Sequence, residues 1–199
     1  TLQLKASTCV MRWLLPRLLQ WQKERPDVPV ELTTTVAYNV DFRRETFDAA
    51  VIYGPIAEQS AEARHLFDER LTPVCVPGLL GSLRTPQDLQ HQVLLHPTRD
   101  ERDWTLWLKA ANACLSDPIQ RHHFETLDLA MTVASQGTGV AMGDSALIGE
   151  DLKAGRLAMP FELRVSTGMG YYLAYPPGKE PSVGLVELMD WLVSEASVG

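Results

Sequence analysis

Hydroxyl side chains stand where the sequence predicts that a strand passes into a helix, at Ser7 and Thr8 and again at Thr126. Hydroxyl residues in such positions commonly cap the helix, and the first backbone N–H groups of that helix can then hydrogen bond an anion. Each of these residues can therefore act as a cap, as a ligand contact, or as both. The spacing by itself leaves these alternatives open.

Histidines raise the question of a metal site. His122 and His123 are adjacent in a predicted strand, where they would point to opposite faces and could not both bind one ion. No cysteine or carboxylate stands at ligand spacing beside them, so no metal site is predicted. His96 ends the apolar stretch VLLH and precedes Pro97 and Thr98, so it can either line a ligand site or pack within a loop.

No arrangement typical of catalysis or of nucleotide binding is present. Ser145 in GDSAL does not fit the G-x-S-x-G pattern of a nucleophile elbow. The glycines of GTGVAMG close a helix and enter a strand, which is the reverse of a dinucleotide-binding fingerprint. Trp104 and Trp107 have the spacing of one helix face, and core packing is favoured over an aromatic ligand wall. No catalytic residue and no cofactor is therefore predicted.

Composition excludes several classes of protein. The chain has 199 residues, 45% of them hydrophobic, and a formal net charge of -7, which is unsuited to binding a nucleic acid directly. It contains no stretch typical of a membrane helix, no signal peptide and no initiator Met, so we expect a piece of a longer protein. The three cysteines are far apart and odd in number, which favours a reducing compartment; they are Cys9, Cys75 and Cys114.

Strands and helices alternate along the chain. Strands are predicted at 2–6, 30–34 and 47–54, with a helix from Met11 that Pro16 should kink or restart. The remaining predicted elements are two extended stretches with a bend within 63–77, a capped short helix at 85–89, strands at 93–96, 119–126, 140–142 and 171–176, and helices beginning at 127, 144 and 182. This order predicts an α/β protein of two lobes, 1–69 with 163–199 and 70–162.

Several of these segments together resemble one family. The opening STCVMRWLLPRLLQWQKERPDVPVELTT, the strand FDAAVIYG, the crossover LTPVCVPGLL and the block TLDLAMTVASQGTGVAMGDSALIGEDLKAGRL are similar to the effector-binding domain of LysR-type transcriptional regulators. The segments RDWTLWLKAAN and YYLAYP resemble the subgroup that includes the glycine-cleavage activator and the β-lactamase regulator. The resemblance covers essentially the whole chain.

The resemblance implies a fold and a ligand site. The fold would be two Rossmann-like lobes with a hinge, of the periplasmic-binding-protein type II kind, with a small-molecule effector bound between the lobes. The implied ligand-binding residues are Ser7, Thr8, Cys9, His96, Thr98, Thr126 and Tyr171. Two helix starts facing one cleft would favour an anion such as a carboxylate.

The resemblance also implies partners. The full-length regulator would bind DNA through an N-terminal winged helix-turn-helix that is absent from this sequence, as a tetramer in the cytoplasm. The domain itself would form a homodimer through its first helix and the strand at 30–36, where Trp21 and Val36 are apolar positions that one lobe need not bury. A periplasmic-type solute-binding protein is the alternative, and an enzyme on the same fold is a third possibility without a catalytic constellation.

Overall fold

The computed structural model describes residues 1–36, 41–58 and 62–198 of the chain. The chain forms two compact units, Thr1–Glu69 with Gly168–Gly199 and Arg70–Thr167. The sequence predicts the same first boundary, but residues 163–167 belong to the second unit rather than to the first. None of the helices within the described ranges is long and apolar enough to span a membrane.

The first unit contains β1 (Leu2–Ser7), α1 (Met11–Glu24), β2 (Val30–Thr35), β3 (Ala49–Pro55), the first part of β4 (Ala63–Val74), most of β8 (Val165–Ala174) and α5 (Val183–Val198), with 3-10 helices at Thr8–Val10 and Ile56–Glu58. Its strands lie in the order β2-β1-β3-β8. β1 is parallel to β2 and β3, as predicted, whereas β8 is antiparallel to β3. The three predicted N-terminal strands are therefore confirmed.

α1 supplies much of the core of this unit. Trp13, Leu14, Leu18 and Trp21 lie on its buried face, and the Trp21 ring packs at 5.4 Å from that of Trp191 in α5. The prediction that one lobe would leave Trp21 incompletely buried is thus wrong. The helix also continues through Pro16 without the predicted restart, with the proline on its exposed side.

The second unit contains the rest of β4, together with β5 (Leu94–His96), α2 (Arg102–Ala110), β6 (Arg121–His123), α3 (Leu127–Ser135), β7 (Val140–Asp144) and α4 (Gly149–Lys153), and 3-10 helices at Pro77–Ser82 and Pro86–His91. Its strands lie in the order β4-β7-β5-β6. β7 is antiparallel to β4 and parallel to β5, and β5 is parallel to β6.

Two sequence predictions for this part of the chain are wrong. The two extended stretches predicted within 63–77 form one continuous strand without a bend between them, β4, which ends at Val74. Asp144 ends β7 rather than starting a helix, because its Oδ1 accepts the N–H groups of Ala146 at 3.0 Å and Arg70 at 3.3 Å and so holds a turn. α4 begins only at Gly149.

The two tryptophans of α2 belong to the core of the second unit, as predicted. Trp104 and Trp107 are fully buried, and each satisfies its indole N–H with a backbone carbonyl. Trp104 donates to Leu95 at 3.0 Å and Trp107 donates to Leu163 at 3.1 Å. The Trp104 bond ties α2 to β5, and the Trp107 bond ties α2 to the segment that precedes β8.

A close contact with a neighbouring backbone explains why residue 139, between α3 and β7, is a glycine. A Cβ added to this residue would lie 2.4 Å from the carbonyl oxygen of Val93, which also accepts the Val140 N–H. Only a residue without a side chain leaves room for this contact.

We therefore expect Gly139→Ala to lower the free energy of unfolding by about 1–3 kcal/mol, as overpacking does elsewhere. Gly81→Ala is the control, since nothing lies within 4 Å of a Cβ at that position. Urea denaturation followed by circular dichroism measures both. Equal midpoints for the two variants would contradict the packing at Gly139.

Candidate functional site

Ser7 and Thr8 stand where β1 ends, but neither starts the α-helix. A 3-10 turn at Thr8–Val10 intervenes, so α1 begins at Met11 and Val10 occupies its N-cap position. The Ser7 side chain makes no cap hydrogen bond, and the capping interpretation of Ser7 is wrong because the turn displaces the helix start by one 3-10 turn. Within the described residues the Ser7 hydroxyl is buried and has no hydrogen-bond partner.

Tyr171 lies in the interior of the first unit. It is 1% exposed, faces Tyr53 across the β3–β8 pair, and has its ring 5.2 Å from the rings of both Tyr53 and Phe67. The Tyr53 hydroxyl donates to Glu69 Oε1 at 2.7 Å. Cys9, another predicted site residue, is also buried. The Tyr53–Glu69 pair carries no sequence signal, because the two residues stand 16 positions apart on strands that are not neighbours in the sheet.

Thr126 and Thr98 both have local partners. Thr126 is the N-cap of α3, and its Oγ1 accepts the Leu129 N–H at 3.1 Å, which confirms the predicted cap. The Thr98 hydroxyl donates to Asp100 Oδ1 at 2.8 Å. This bond, together with the Arg102 N–H, holds the pKa of Asp100 below its usual range. Thr98 therefore closes a turn before α2, and a ligand role for either threonine stays a prediction.

His96 and His123 lie side by side at the carboxyl ends of β5 and β6. The two residues are paired in the parallel register, and their rings stack with centroids 5.0 Å apart and an angle of 15°. Glu101 approaches both rings. Its Oε1 is 3.2 Å from His123 Nε2, and its Oε2 is 3.4 Å from His96 Nε2.

This cluster corrects the interpretation of the adjacent histidines. His123 does have a carboxylate partner, but Glu101 stands 22 residues earlier in the chain and was missed. Glu101 has a left-handed backbone conformation, with φ at 58°, and directly precedes α2. Arg121 also contacts Glu101, with Nη1 to Oε1 at 3.0 Å, and contacts Asp117 at 2.9 Å. His122 is not part of the cluster.

The protonation of the cluster follows from its burial. Burial lowers the pKa of His96 to about 4, and the nearby Glu101 charge only partly opposes this. Burial would raise the pKa of Glu101, but the hydrogen bond from His123 and the charges around it leave that pKa below its usual value. At neutral pH the cluster therefore contains a neutral His96 imidazole and an ionised Glu101 carboxylate.

A cavity of about 180 Å³ adjoins His96 and Glu101 in the second unit. Its lining combines apolar residues with the charged groups of the cluster: Leu94, His96, Glu101, Trp104, Thr105, Leu108, Leu115, Asp117, Ile119 and Arg121. The cavity gives a small ion or water a route to the Glu101 carboxylate. No predicted site residue other than His96 lines it.

The predicted ligand-binding residues divide between the two units. Ser7, Thr8, Cys9 and Tyr171 belong to the first unit. His96, Thr98 and Thr126 belong to the second. A site that uses both sets stays a prediction.

Comparison with known proteins decides the family. The LysR substrate binding domain family matches residues 1–197. The chain belongs to this family. The LysR substrate-binding domain has a type II periplasmic-binding-protein-like fold, so the predicted family and fold class are confirmed.

The relatives of this LysR domain are transcriptional regulators. The HTH-type transcriptional activator AmpR of Pseudomonas aeruginosa is 33% identical over 192 residues, which is 96% of this chain and 64% of the relative. The glycine cleavage system transcriptional activator of Escherichia coli is 26% identical over 190 residues, covering 94% of this chain and 62% of the relative. The chain thus spans just under two thirds of the length of these relatives.

Solved structures of similar proteins support the same family assignment. The effector domain of the transcriptional regulator AmpR of Pseudomonas aeruginosa is 30% identical and has a TM-score of 0.80, covering 100% of this chain and 96% of that one. The AmpR effector binding domain from Citrobacter freundii, 22% identical with a TM-score of 0.80 over 100% and 98% of the two chains, shows the same fold. The chain is therefore a LysR-type effector-binding domain, and its relatives are transcriptional regulators rather than enzymes, which favours this function over the solute-binding alternative.

The Thr126 cap leads to a stability prediction. Thr126→Val keeps the shape of the side chain but removes the acceptor for the Leu129 N–H, so it should lower the free energy of unfolding by about 1 kcal/mol. Thr126→Ser keeps the acceptor and should be at least as stable as the wild type. Urea midpoints measure both variants, and a Val variant as stable as the Ser variant would contradict the cap.

Proposed function

We propose that this domain binds a carboxylate-bearing small molecule through residues of both units, and that binding controls a DNA-binding region elsewhere in the full-length protein. The proposed ligand contacts are those predicted from the sequence: Ser7, Thr8, Cys9, His96, Thr98, Thr126 and Tyr171. The observation that carries the proposal is the buried Ser7 hydroxyl, which has no hydrogen-bond partner within the described part of the chain.

An unpaired buried hydroxyl is unfavourable by about 1–3 kcal/mol, because folding removes its water without replacing the hydrogen bond. A ligand that accepts from or donates to Ser7 would remove this penalty only in the bound state. Ser7 ends β1, next to Thr8, and ligands of open α/β sheets bind at the carboxyl ends of strands. The position of the hydroxyl therefore supports a role in binding better than a role in stability.

The sign of the ligand charge comes from α3. This helix begins after Thr126, spans nine residues, and has about half a positive charge at its start. The Thr126 side chain satisfies the Leu129 N–H, and a carboxylate can bind the other N–H groups of the first turn. This supports an anionic effector over a cationic one.

Effector binding must influence DNA binding through a change in the conformation of the protein. The formal net charge of -7 opposes direct contact with a polyanion, so we propose that a winged helix-turn-helix in the longer protein binds the DNA in the cytoplasm. An effector shifts such a regulator only if it binds one arrangement of the domain better than the other. The coupling free energy is the difference between the binding free energies of the effector for those two arrangements.

The experiment begins with a thermal-shift screen of amino acids, small carboxylates and peptidoglycan fragments, since a compound that binds the folded state raises its melting temperature. For the panel member with the largest shift, Ser7→Ala should weaken binding about tenfold, as expected for one lost hydrogen bond. The same variant should be as stable as the wild type or more so, because it removes an unsatisfied polar group. Isothermal titration calorimetry measures the affinity.

The matched control is Ser197→Ala on α5, where the hydroxyl bonds only the Ser194 carbonyl of its own helix. It should leave the affinity unchanged. Wild-type affinity in Ser7→Ala, or a large loss of stability in that variant, would show that the Ser7 hydroxyl has a structural role and would refute its part in the proposed site.

We further propose that the domain forms a homodimer, and a tetramer in the full-length protein. α1 leaves Leu15 44% and Leu19 54% exposed, one helical turn apart, and β2 is an edge strand of the first unit that ends next to Val36, which is 72% exposed. An apolar helix face and an unpaired strand edge are both surfaces that a second copy of the chain can cover.

Leu19→Glu should therefore convert the dimer to a monomer, because it places a charge in a surface that association would dehydrate. Sedimentation velocity at several protein concentrations measures the change. Leu106→Glu is the control, since Leu106 is similarly exposed at 39% but lies on α2 in the other unit. A wild-type chain that stays monomeric at high concentration, or a dimer that survives Leu19→Glu, would contradict this interface.

A further inference from the structure

We propose that His96, Glu101 and His123 form a binding site for a divalent transition-metal ion of the Zn²⁺ type in the second unit. This site does not depend on the proposed effector or on its chemistry. The ion would tie the turn that carries Glu101 to the carboxyl ends of β5 and β6. The remaining coordination position would be open to water from the adjoining cavity.

The donor set and its geometry carry the proposal. Two imidazoles and one carboxylate are a ligand set that Zn²⁺ commonly uses, with the fourth position left open. One ligand atom from each residue lies within 4.8 Å of the others. Ligands of a tetrahedral zinc ion are roughly 3.4 Å apart when the bonds are about 2.0–2.1 Å long. His96 Nε2 lies 3.4 Å from Glu101 Oε2 and His123 Nε2 lies 3.2 Å from Glu101 Oε1, so each imidazole already has one carboxylate oxygen at about this distance.

His96 provides an independent observation. It is 2% exposed, and within the described residues neither of its ring nitrogens has a hydrogen-bond partner. A buried imidazole without partners is unfavourable, as for any desolvated polar group. A neutral imidazole offers one nitrogen lone pair to a metal ion. Coordination would therefore satisfy a polar atom that the protein leaves unsatisfied.

Arg121 competes with an ion for Glu101. Its Nη1 lies 3.0 Å from Oε1 and 3.3 Å from Oε2 of the carboxylate, and its positive charge repels a cation. Its other partner is Asp117, at 2.9 Å from Nη2. Because the Arg121 side chain is 36% exposed, it can move aside and keep the Asp117 contact when an ion takes the carboxylate. Removing the Arg121 charge should therefore strengthen metal binding.

The test uses the 199-residue chain without a histidine tag, freed of metal by a chelator and titrated with Zn²⁺ or Co²⁺. The wild type should bind one ion per chain, and Co²⁺ should show the intense visible absorption of a tetrahedral site. His123→Ala and Glu101→Gln should each weaken binding by about tenfold or more. His122→Ala is the matched control, because His122 is the neighbour of His123 and lies outside the cluster.

Arg121→Gln separates a metal site from a purely structural network of hydrogen bonds. If the ion binds at Glu101, this variant should bind Zn²⁺ more tightly than the wild type. If the cluster is only a salt-bridge network, the variant should gain no affinity for metal. An unchanged or weaker affinity in Arg121→Gln would overturn the proposal.

Two further results would also overturn it: the absence of stoichiometric binding by the wild type, and equal affinities of the His122→Ala and His123→Ala variants. Circular dichroism of each metal-free variant establishes that it is folded before titration. Cys114 is an exposed free thiol that could also bind these ions, so the titrations are repeated on Cys114→Ser. Loss of the Co²⁺ absorption in Cys114→Ser would assign the ion to the thiol and would refute the site at His96.

Discussion

The parallel pairing of short strands within each unit is the constraint on which the rest of the structure depends. Parallel strands bring all their carboxyl ends to one edge of a sheet, and the residues that follow them are forced together there. In the first unit this edge contains Ser7 at the end of β1. In the second it contains His96 and His123 at the ends of β5 and β6, with β7 parallel to β5. Most of the residues proposed to bind an effector or a metal ion lie at or just after these strand ends, where the pairing of the strands brings them together.

The hydroxyls of Thr126 and Ser7 have the same predicted position, at the start of a helix, but different physical roles in the structure. Thr126 satisfies a backbone N–H at the start of α3 and so contributes to folding. Ser7 is displaced from the helix start by a 3-10 turn, and its hydroxyl is buried without compensation. Natural proteins satisfy most buried polar groups, and those left unsatisfied deserve a functional explanation. A domain that responds to a ligand gains selectivity from such a group, because the hydrogen bond that satisfies it forms only when the ligand is bound.

The cluster at His96 in the second unit also contains a buried polar side chain without a hydrogen-bond partner among the described residues. Glu101 adopts a left-handed backbone conformation, which is unfavourable for a side chain with a Cβ, and this conformation places its carboxylate against two stacked imidazoles and Arg121. The carboxylate stays ionised because His123 and Arg121 oppose the effect of burial. Its oxygens contact Arg121 and His123 through hydrogen bonds and approach His96 to 3.4 Å, and any ion that binds must compete with the arginine.

The sequence alone determined most of the strands and helices, the helix core stripe of α3, the core role of Trp104 and Trp107, the cap at Thr126 and the family, because each depends on residues close together in the chain or on a local pattern. It could not determine that Pro16 would be accommodated on an exposed helix face, or that Trp21 would be covered by Trp191 of α5. It also missed Glu101 as the partner of His123. Only the tertiary structure decided these points, since pairing in register aligns His96 with His123 and brings Glu101 to both, whereas separation along the chain carries no information about distance across a sheet.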